Sequence, residues 1–198
     1  MALEHCLVLI KPDGVELSLT GEVITHLDRE DLFLVGARVV EVSHDLAASH
    51  YYEHHNKPFY QDVIRYLMGA YHSFPWVYAF AFCGENACSR IRAIVGNTNP
   101  MIIEPGKKIV TLRQKYGRNI IIRDQSGRDL IDDAGHAVVR FENVIHASFS
   151  DSAEYEIKLW FTPAEVLSNY RLYPTIKDEC NILQWEKSPQ QIKKELFK

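Results

Sequence analysis

The stretch Cys6-Leu7-Val8-Leu9-Ile10-Lys11-Pro12-Asp13-Gly14 decides between two α/β folds. An apolar run ends at a breaker, so residues 5–10 read as a buried strand. Lys11-Pro12-Asp13-Gly14 then reads as a turn or loop, because Pro fixes φ and Asp and Gly suit a turn. A doubly wound parallel sheet usually places a Gly-rich phosphate loop directly after its first strand. Neither G-x-G-x-x-G nor G-x-x-x-x-G-K-[ST] occurs in this chain. Downstream, Thr20 is expected to cap a helix through about Glu30. Leu32 to Val42 reads as a long strand, Ser43 starts a helix to about His55, and Gln61 to Met68 is a further short helix. Trp76 to Phe82 is a strand rich in aromatics, and Asn86 to Val95 is a helix ended by Gly96. Strand-helix-strand followed by strand-helix-strand is the split βαβ pattern of ferredoxin-like folds, with the doubly wound sheet as competitor.

The composition bounds the function classes. At 198 residues, one domain with appendages is expected. Hydrophobic content of 46% and charged content of 24% are ordinary globular values. A net charge of −4 disfavours nucleic acid as a partner, which would call for clustered Lys and Arg. Cys6, Cys83, Cys88 and Cys180 form no C-x-x-C pair, so buried free thiols in a reducing compartment are expected. The apolar run at residues 6–10 is too short for a signal peptide or a membrane span, and a cytoplasmic location is expected.

The candidate chemistry lies on turns and helix edges. Ala137-Val138-Val139 reads as a strand continuing toward Val144-Ile145, with His146 at its end. Ser148, Ser150, Asp151 and Ser152 follow as a turn and helix-cap cluster, and a helix runs from Asp151 to Phe161. A strand end backed by such a turn holds a side chain rigidly at the rim of a sheet, where a nucleophile is wanted. A phosphate site needs cations, hydrogen-bond donors and a flat apolar surface for a base. Lys11, Arg92, Thr98 and Arg113 could supply the first two, and Phe59 the last. Singly, each has a plainer reading: a solvated charge, a core aromatic, a turn. Residues 119–141 read as a hairpin-like excursion with Gly127 and Gly135 in its polar stretch. Beyond Tyr170 periodicity fades, and Gln190 to Phe197 reads as a short amphipathic helix. No internal repeat is evident.

Five motifs taken in order resemble one family. Val8-Leu9-Ile10-Lys11-Pro12-Asp13-Gly14-Val15 looks like the N-terminal signature of the nucleoside diphosphate kinases. So do His50-Tyr51 followed by Lys57-Pro58-Phe59, Gly96-Asn97-Thr98-Asn99-Pro100, and Asn143-Val144-Ile145-His146-Ala147-Ser148. Ser152-Ala153-Glu154 through Glu156-Ile157 to Leu159-Trp160-Phe161 extends the match. The likeness covers roughly residues 4–117 and 138–170.

The resemblance implies a ferredoxin-like split βαβ sandwich, with a four-stranded antiparallel sheet and helices packed on it. It implies a homo-oligomer and a ping-pong reaction: a nucleoside triphosphate, mainly ATP, phosphorylates His146, and a nucleoside diphosphate takes the group. By motif position, Lys11 and Asn143 would hold ribose hydroxyls and nearby phosphate. Arg92, Thr98 and Arg113 would bind phosphates, and Phe59 and Val63 would sandwich the base. Tyr51 would sit close to His146, and Glu156 and Ser148 would orient it. Mg²⁺ would arrive with the nucleotide, held by phosphates and water and not by a protein cage. A nucleotide-binding regulatory or scaffold protein without turnover is the alternative. The joint presence of Lys11, Tyr51, Arg92, Thr98, Asn143 and His146 argues against it.

The chain departs from the family pattern in several places. Ala147-Ser148-Phe149-Ser150 stands where Gly-Ser-Asp-Ser is common, and one residue is missing before Glu156. Phe141-Glu142 replaces a usual Gly-Arg, a charge reversal, and Lys57 replaces an Arg. The segments after Pro105-Gly106 and from Met68 to Phe74 are longer than usual, and the excursion at 118–140 is extra. The expected organisation is a catalytic domain at 1–170 and a C-terminal extension at 171–198.

Overall fold

The computed structural model describes residues 3–103 and 110–197. The expected loop feature Pro105-Gly106 lies outside the described residues. In chain order the elements are β1 (Leu3–Ile10), α1 (Pro12–Glu16), α2 (Thr20–Leu27), β2 (Phe33–Glu41), α3 (His44–His50), α4 (Tyr60–Leu67), β3 (Trp76–Glu85) and α5 (Ala87–Val95). Then follow α6 (Leu112–Tyr116), β4 (Arg118–Ile121), β5 (Val139–Glu142), β6 (Ile145–Ala147) and α7 (Ala153–Trp160). The C-terminal part adds β7 (Thr175–Lys177), β8 (Leu183–Trp185) and α8 (Pro189–Leu196).

The central sheet has the order β2-β3-β1-β6, and every neighbouring pair is antiparallel. This is the ferredoxin-like arrangement; the parallel alternative is excluded. Strand β1 is an unbroken apolar run because both faces of the sheet are covered. Cys6, Val8 and Ile10 point to one face, where α2 and α5 contribute Val23, Leu27, Ile91 and Val95. Leu7 and Leu9 point to the other, against Ala47, Ile64, Leu67, Ile157 and Trp160 of α3, α4 and α7. On β3 the small Ala79 and Ala81 face that second layer, while Phe80 and Phe82 face the first.

Several local expectations are corrected. Lys11-Pro12-Asp13-Gly14 is no open loop: it starts α1, with Pro12 in the first turn, where a missing N–H costs nothing. Thr20 is not a cap but the first residue of α2, and Leu19 occupies the cap position without a side-chain bond. Residues 137–146 do not form one strand. Strand β5 pairs with β4 in a separate sheet, and β6 pairs with β1 in the central one. The break is Val144, at φ +57°, a left-handed backbone that a β-branched residue rarely takes. His146 is therefore the middle residue of β6, opposite Leu9 of β1. Ser152 occupies the cap position of α7 but makes no cap bond.

The excursion is a β4–β5 hairpin extended by two alike turns. Asp124 to Gly127 and Asp132 to Gly135 each close on an Asp carbonyl, with Gly127 and Gly135 at φ +81° and +83°. This short repeat had escaped the sequence reading. The tail is also more regular than its sequence implies. Its β7–β8 hairpin brings Trp185 onto α7, where the indole N–H donates to the Phe161 carbonyl at 2.9 Å. The Lys158 ammonium sits 5.1 Å from the Tyr173 ring and 5.7 Å from the Trp185 ring. Helix α8 is the short helix that the amphipathic pattern predicts, and it starts in a Ser188–Gln191 capping box.

Trp185 is 9% exposed, so its truncation opens a cavity beside α7. Trp185→Ala is expected to cost about 3 kcal/mol, read as a lowered urea midpoint. A loss under about 1 kcal/mol, the range of surface changes, would show that the tail is not part of the core.

Candidate active site

The site is built where the chain crosses from β5 into β6. Val144 N–H donates to Asp13 Oδ2 at 2.9 Å, and Lys11 N–H donates to the Val144 carbonyl at 2.9 Å. Gly14 lies under this crossing. A Cβ there would stand 2.5 Å from the Val144 oxygen, so only glycine fits. The K-P-D-G motif is thus a socket for the 143–146 segment. Within it the Lys11 ammonium donates to Asn143 Oδ1, and Asn143 Nδ2 donates to the Thr98 carbonyl at 2.7 Å.

His146 faces the α3–α7 side of the sheet. Its Nε2 lies 2.6 Å from Glu156 Oε2. The same oxygen accepts from Ser148 Oγ at 2.7 Å, and Oε1 accepts from Ser152 Oγ at 2.8 Å. Ser148 Oγ in turn accepts from Leu7 N–H at 3.1 Å. Hydrogen bonds thus link β1 through Ser148 to Glu156, where the imidazole N–H also donates. Burial pushes the Glu156 carboxyl pKa up, but His146, His50 and Ser148 together pull it down to about 2. It stays ionised and fixes the imidazole proton on Nε2. Glu156 lies in the first turn of α7, and the bond to His146 is made.

Two cations are sunk in the walls. Lys11 is 4% exposed, and burial lowers its pKa to about 7, against the opposing pull of Asp13. Arg113 is 3% exposed and held by the carbonyls of Ile145 and Gly96. Arg92 donates to the Ala147 carbonyl, and its guanidinium carbon lies over the Phe149 ring, 3.4 Å from the centroid. A cleft of about 280 Å³ gathers Lys11, Tyr51, Phe59, Val63, Arg92, Thr98, Arg113, Asn143, His146 and Glu156. Ser148, fully buried, sits behind its wall. All the residues named from the sequence thus converge on one place.

Others were missed. The sequence does not single out His50, yet its ring lies against His146, with centroids 4.5 Å apart. Tyr51 packs behind it, 4.8 Å from the His50 ring. Burial lowers the His50 pKa to about 3, and the neighbouring His146 adds to the fall. His50 Nδ1 accepts from the Trp160 indole N–H at 3.2 Å, so Nε2 carries the proton. His50, His146 and Glu156 lie close enough to mimic a metal triad. The Trp160 bond forbids it, because a metal ligand needs the lone pair that the Nε2 proton occupies. Arg140 was also missed. It binds both Asp62 oxygens at 2.8 Å and Glu142 at 2.8 Å. The reversed charge at Glu142 is therefore no charge left facing the site: Arg140 and Arg118 neutralise it.

Known proteins match the chain along this frame. The sequence profile described as nucleoside diphosphate kinase matches residues 4–166. A nucleoside diphosphate kinase of Staphylococcus epidermidis is 38% identical over 165 residues, 83% of this chain and 91% of that protein. The chain belongs to the nucleoside diphosphate kinase family. A Staphylococcus aureus relative of the same name is 38% identical over 167 residues, 84% of this chain and 93% of its own length. The solved kinase of Halobacterium salinarum in complex with CDP is 28% identical, with a TM-score of 0.64 over 84% of this chain and 93% of that one. The Borrelia burgdorferi kinase, a transition-state mimic with bound vanadate and ADP, is 27% identical, with a TM-score of 0.61 over 84% and 91%.

The depressed pKa of His50 has a pH consequence. The unfolded imidazole takes a proton near pH 6.5, whereas the folded one resists until about 3. The unfolded state then binds more protons, so stability falls as pH drops from 6.5. Glu156 adds its own loss only below about 4.5, its unfolded value. Urea midpoints of His50→Gln should therefore decline less steeply between pH 6.5 and 4.5. Part of the slope persists through His5, which burial also holds low. An unaltered slope would mean that native His50 is protonated.

Proposed function

We propose that this chain is an active nucleoside diphosphate kinase whose phosphoryl carrier is His146. The observation that carries the reading is the donor chain ending at Glu156. With the proton held on Nε2, the lone pair of the 19%-exposed imidazole is on Nδ1, at the cleft. That lone pair attacks the γ-phosphorus of a nucleoside triphosphate, mainly ATP. The bond to the β,γ-bridging oxygen breaks, and the nucleoside diphosphate leaves with the electron pair. An acceptor diphosphate then attacks the phosphohistidine with its terminal oxygen and restores the imidazole. Splitting the transfer in two lets one cleft serve donor and acceptor alike.

The other residues take roles that their chemistry supports. Arg92, Arg113 and Thr98 bind phosphates, and Lys11 with Asn143 spans ribose and phosphate. Phe59 and Val63 stack on the base, and Tyr51 backs the imidazole pair. Glu156 and Ser148 hold the tautomer. A divalent cation, Mg²⁺, comes with the nucleotide and screens phosphate charge. The cleft fits that arrangement: Lys11, Arg92 and Arg113 suit phosphate, and Glu156 already accepts from three donors. The cation is left to phosphate oxygens and water.

The chain acts on nucleoside di- and triphosphates as a homo-oligomer in the cytoplasm. Exposed Phe33, Leu34 and Val39 on the edge strand β2 support self-association. Among the described residues no helix is long and apolar enough to cross a membrane. Residues 1–170 form the catalytic unit, and 171–198 extend it.

Brief exposure to ATP and Mg²⁺ should leave an acid-labile phosphate on His146, discharged by GDP, in mass spectra of the intact chain. Nucleotide binding without that adduct would support the regulatory alternative. A second test follows Lys11. With a free pKa of about 7 it is mostly neutral at pH 8, and a bound phosphate favours the ammonium. ADP binding at pH 8 should take up roughly one proton, measured by calorimetry in buffers of different ionisation enthalpy. Lys11→Arg should take up none. Equal uptake by both proteins would remove Lys11 from the phosphate site.

A further inference from the structure

The turn between β6 and α7 departs from the family pattern beside the reacting imidazole. Phe149 stands there where an Asp is common, and it is 55% exposed. A single exposed phenyl ring is ordinary on a protein surface; what this one covers is not. The backbone on either side of it is fixed. Ser148 N–H donates to the Leu7 carbonyl at 3.0 Å, and Ser152 N–H donates to the Phe149 carbonyl at 3.2 Å. Strand β1 and the start of α7 thus aim the ring. It lies against Arg92 of α5, whose guanidinium carbon is 3.4 Å from the ring centroid.

Arg92 and Arg113 bracket His146 through the backbone of β6. Arg113 donates to the Ile145 carbonyl, one residue before His146, and Arg92 to the Ala147 carbonyl, one residue after it, at 3.1 Å. The two are held unequally. Arg113 is buried and donates to the Gly96 carbonyl as well. Arg92 is half-buried, and among the described residues its partners are that one carbonyl and the Phe149 ring, with no carboxylate at ion-pair distance. Ordering so long a side chain costs rotamer freedom, and one bond leaves its head loose. The ring supplies the second restraint. It covers a face of the guanidinium, while the N–H donors lie in the plane and stay available at the edges. A carboxylate at this position would pair with the cation and compete with phosphate. A phenyl ring holds the cation and leaves its charge for the phosphate. Burial lowers the Arg92 pKa, yet a guanidinium stays charged at working pH.

We propose that Phe149 is a positioning residue that acts through Arg92: its ring holds the guanidinium at the Ala147 carbonyl, with a free N–H edge toward the phosphoryl group that His146 exchanges. Phe149, Arg92 and His146 all line the one cleft. The proposal rests on the kinase reading above, which puts that phosphoryl group on His146. Phe149 itself touches no reacting atom. With the ring in place the cation does not reorient as the bond from Nδ1 to phosphorus forms and the bond to the bridging oxygen breaks. Without it the guanidinium swings on its stem, and part of that stabilisation is lost.

The test is a double-mutant cycle of Phe149→Leu with Arg92→Met, with Phe149→Tyr beside it. The rate of His146 phosphorylation at saturating ATP and Mg²⁺ is read by rapid quench. Being exposed, the ring can be exchanged without opening the core. Phe149→Leu keeps bulk but loses the aromatic face, and should slow the step by about fivefold. Phe149→Tyr keeps the face and should stay within about twofold of wild type. In the Arg92→Met background, Phe149→Leu should cost nothing further, because the group it positions is gone. No slowing by Phe149→Leu, equal slowing by Leu and Tyr, or the same loss in both backgrounds would overturn the positioning role. If wild type forms no phosphohistidine, the kinase reading fails. The calorimetric Kd of the β,γ-methylene analogue of ATP in the same proteins then judges the contact by the same pattern of weakening.

Discussion

The bond from Val144 N–H to Asp13 Oδ2 is the constraint on which the site depends. It holds a β-branched residue at positive φ, a conformation that costs of order 1–3 kcal/mol and persists only when its surroundings over-determine it. The surroundings here are Gly14 beneath the crossing and the Lys11 N–H bond to the Val144 carbonyl. The kink lets Asn143 face Lys11 while Ile145 and Ala147 enter the core, with His146 between them on the α3–α7 face. Without the kink the chain would run straight from β5 into β6. Alternation would then turn the imidazole to the wrong face, since a one-residue shift reverses every side chain of a strand.

Around that crossing the protein buries charge that it would pay to leave in water. Lys11, Arg113 and Glu156 are each less than 10% exposed. Isolated, each would cost several kcal/mol. The arrangement lowers this cost with fixed dipoles: carbonyls of Gly96 and Ile145 for Arg113, hydroxyls of Ser148 and Ser152 for Glu156. Lys11 is left under-compensated, which is why burial draws its pKa to about 7. A phosphate would supply the missing charge. Bound there, it would restore the counter-charge that burial withholds from the ammonium.

Much of this was legible because the motifs are local. Ile10 to Gly14 and Asn143 to Ser148 are each recognisable as short contiguous motifs, although the bond that joins them spans 131 residues. The helix pair after Val42 and the tail helix follow from local pattern in the same way. What escaped depends on partners far away in sequence. Val139 and Ile145 look like one strand until β4 and β1 compete for them. Thr20 looks like a cap until Leu19 is drawn into the core, 6% exposed. His50 gains its meaning from Trp160, 110 residues later, and Arg140 from Asp62, 78 residues earlier. No periodicity signals either pairing. The tail hairpin was invisible because three-residue strands show no alternation to read.

The β4–β5 hairpin and the C-terminal tail, both expected as additions to the family pattern, each brace an element that carries site residues. The hairpin clamps α4 through Arg140 and Asp62, while the tail packs Trp185 and Tyr173 over Lys158 of α7. Lys158 is two residues from Glu156, so the tail bears on the helix that sets the histidine tautomer. Phe197 of the tail also meets Tyr52 and Tyr155, which flank the cleft segment carrying Tyr51 and Glu156. Neither addition supplies a group to the phosphoryl centre. Each instead stiffens an element that does, which preorganised electrostatics requires: donors that do not move need no reorganisation when charge shifts. Both bear on the chemistry chiefly through the elements they brace, and the hairpin strand β5 also lines the cleft with Val139, Arg140 and Phe141.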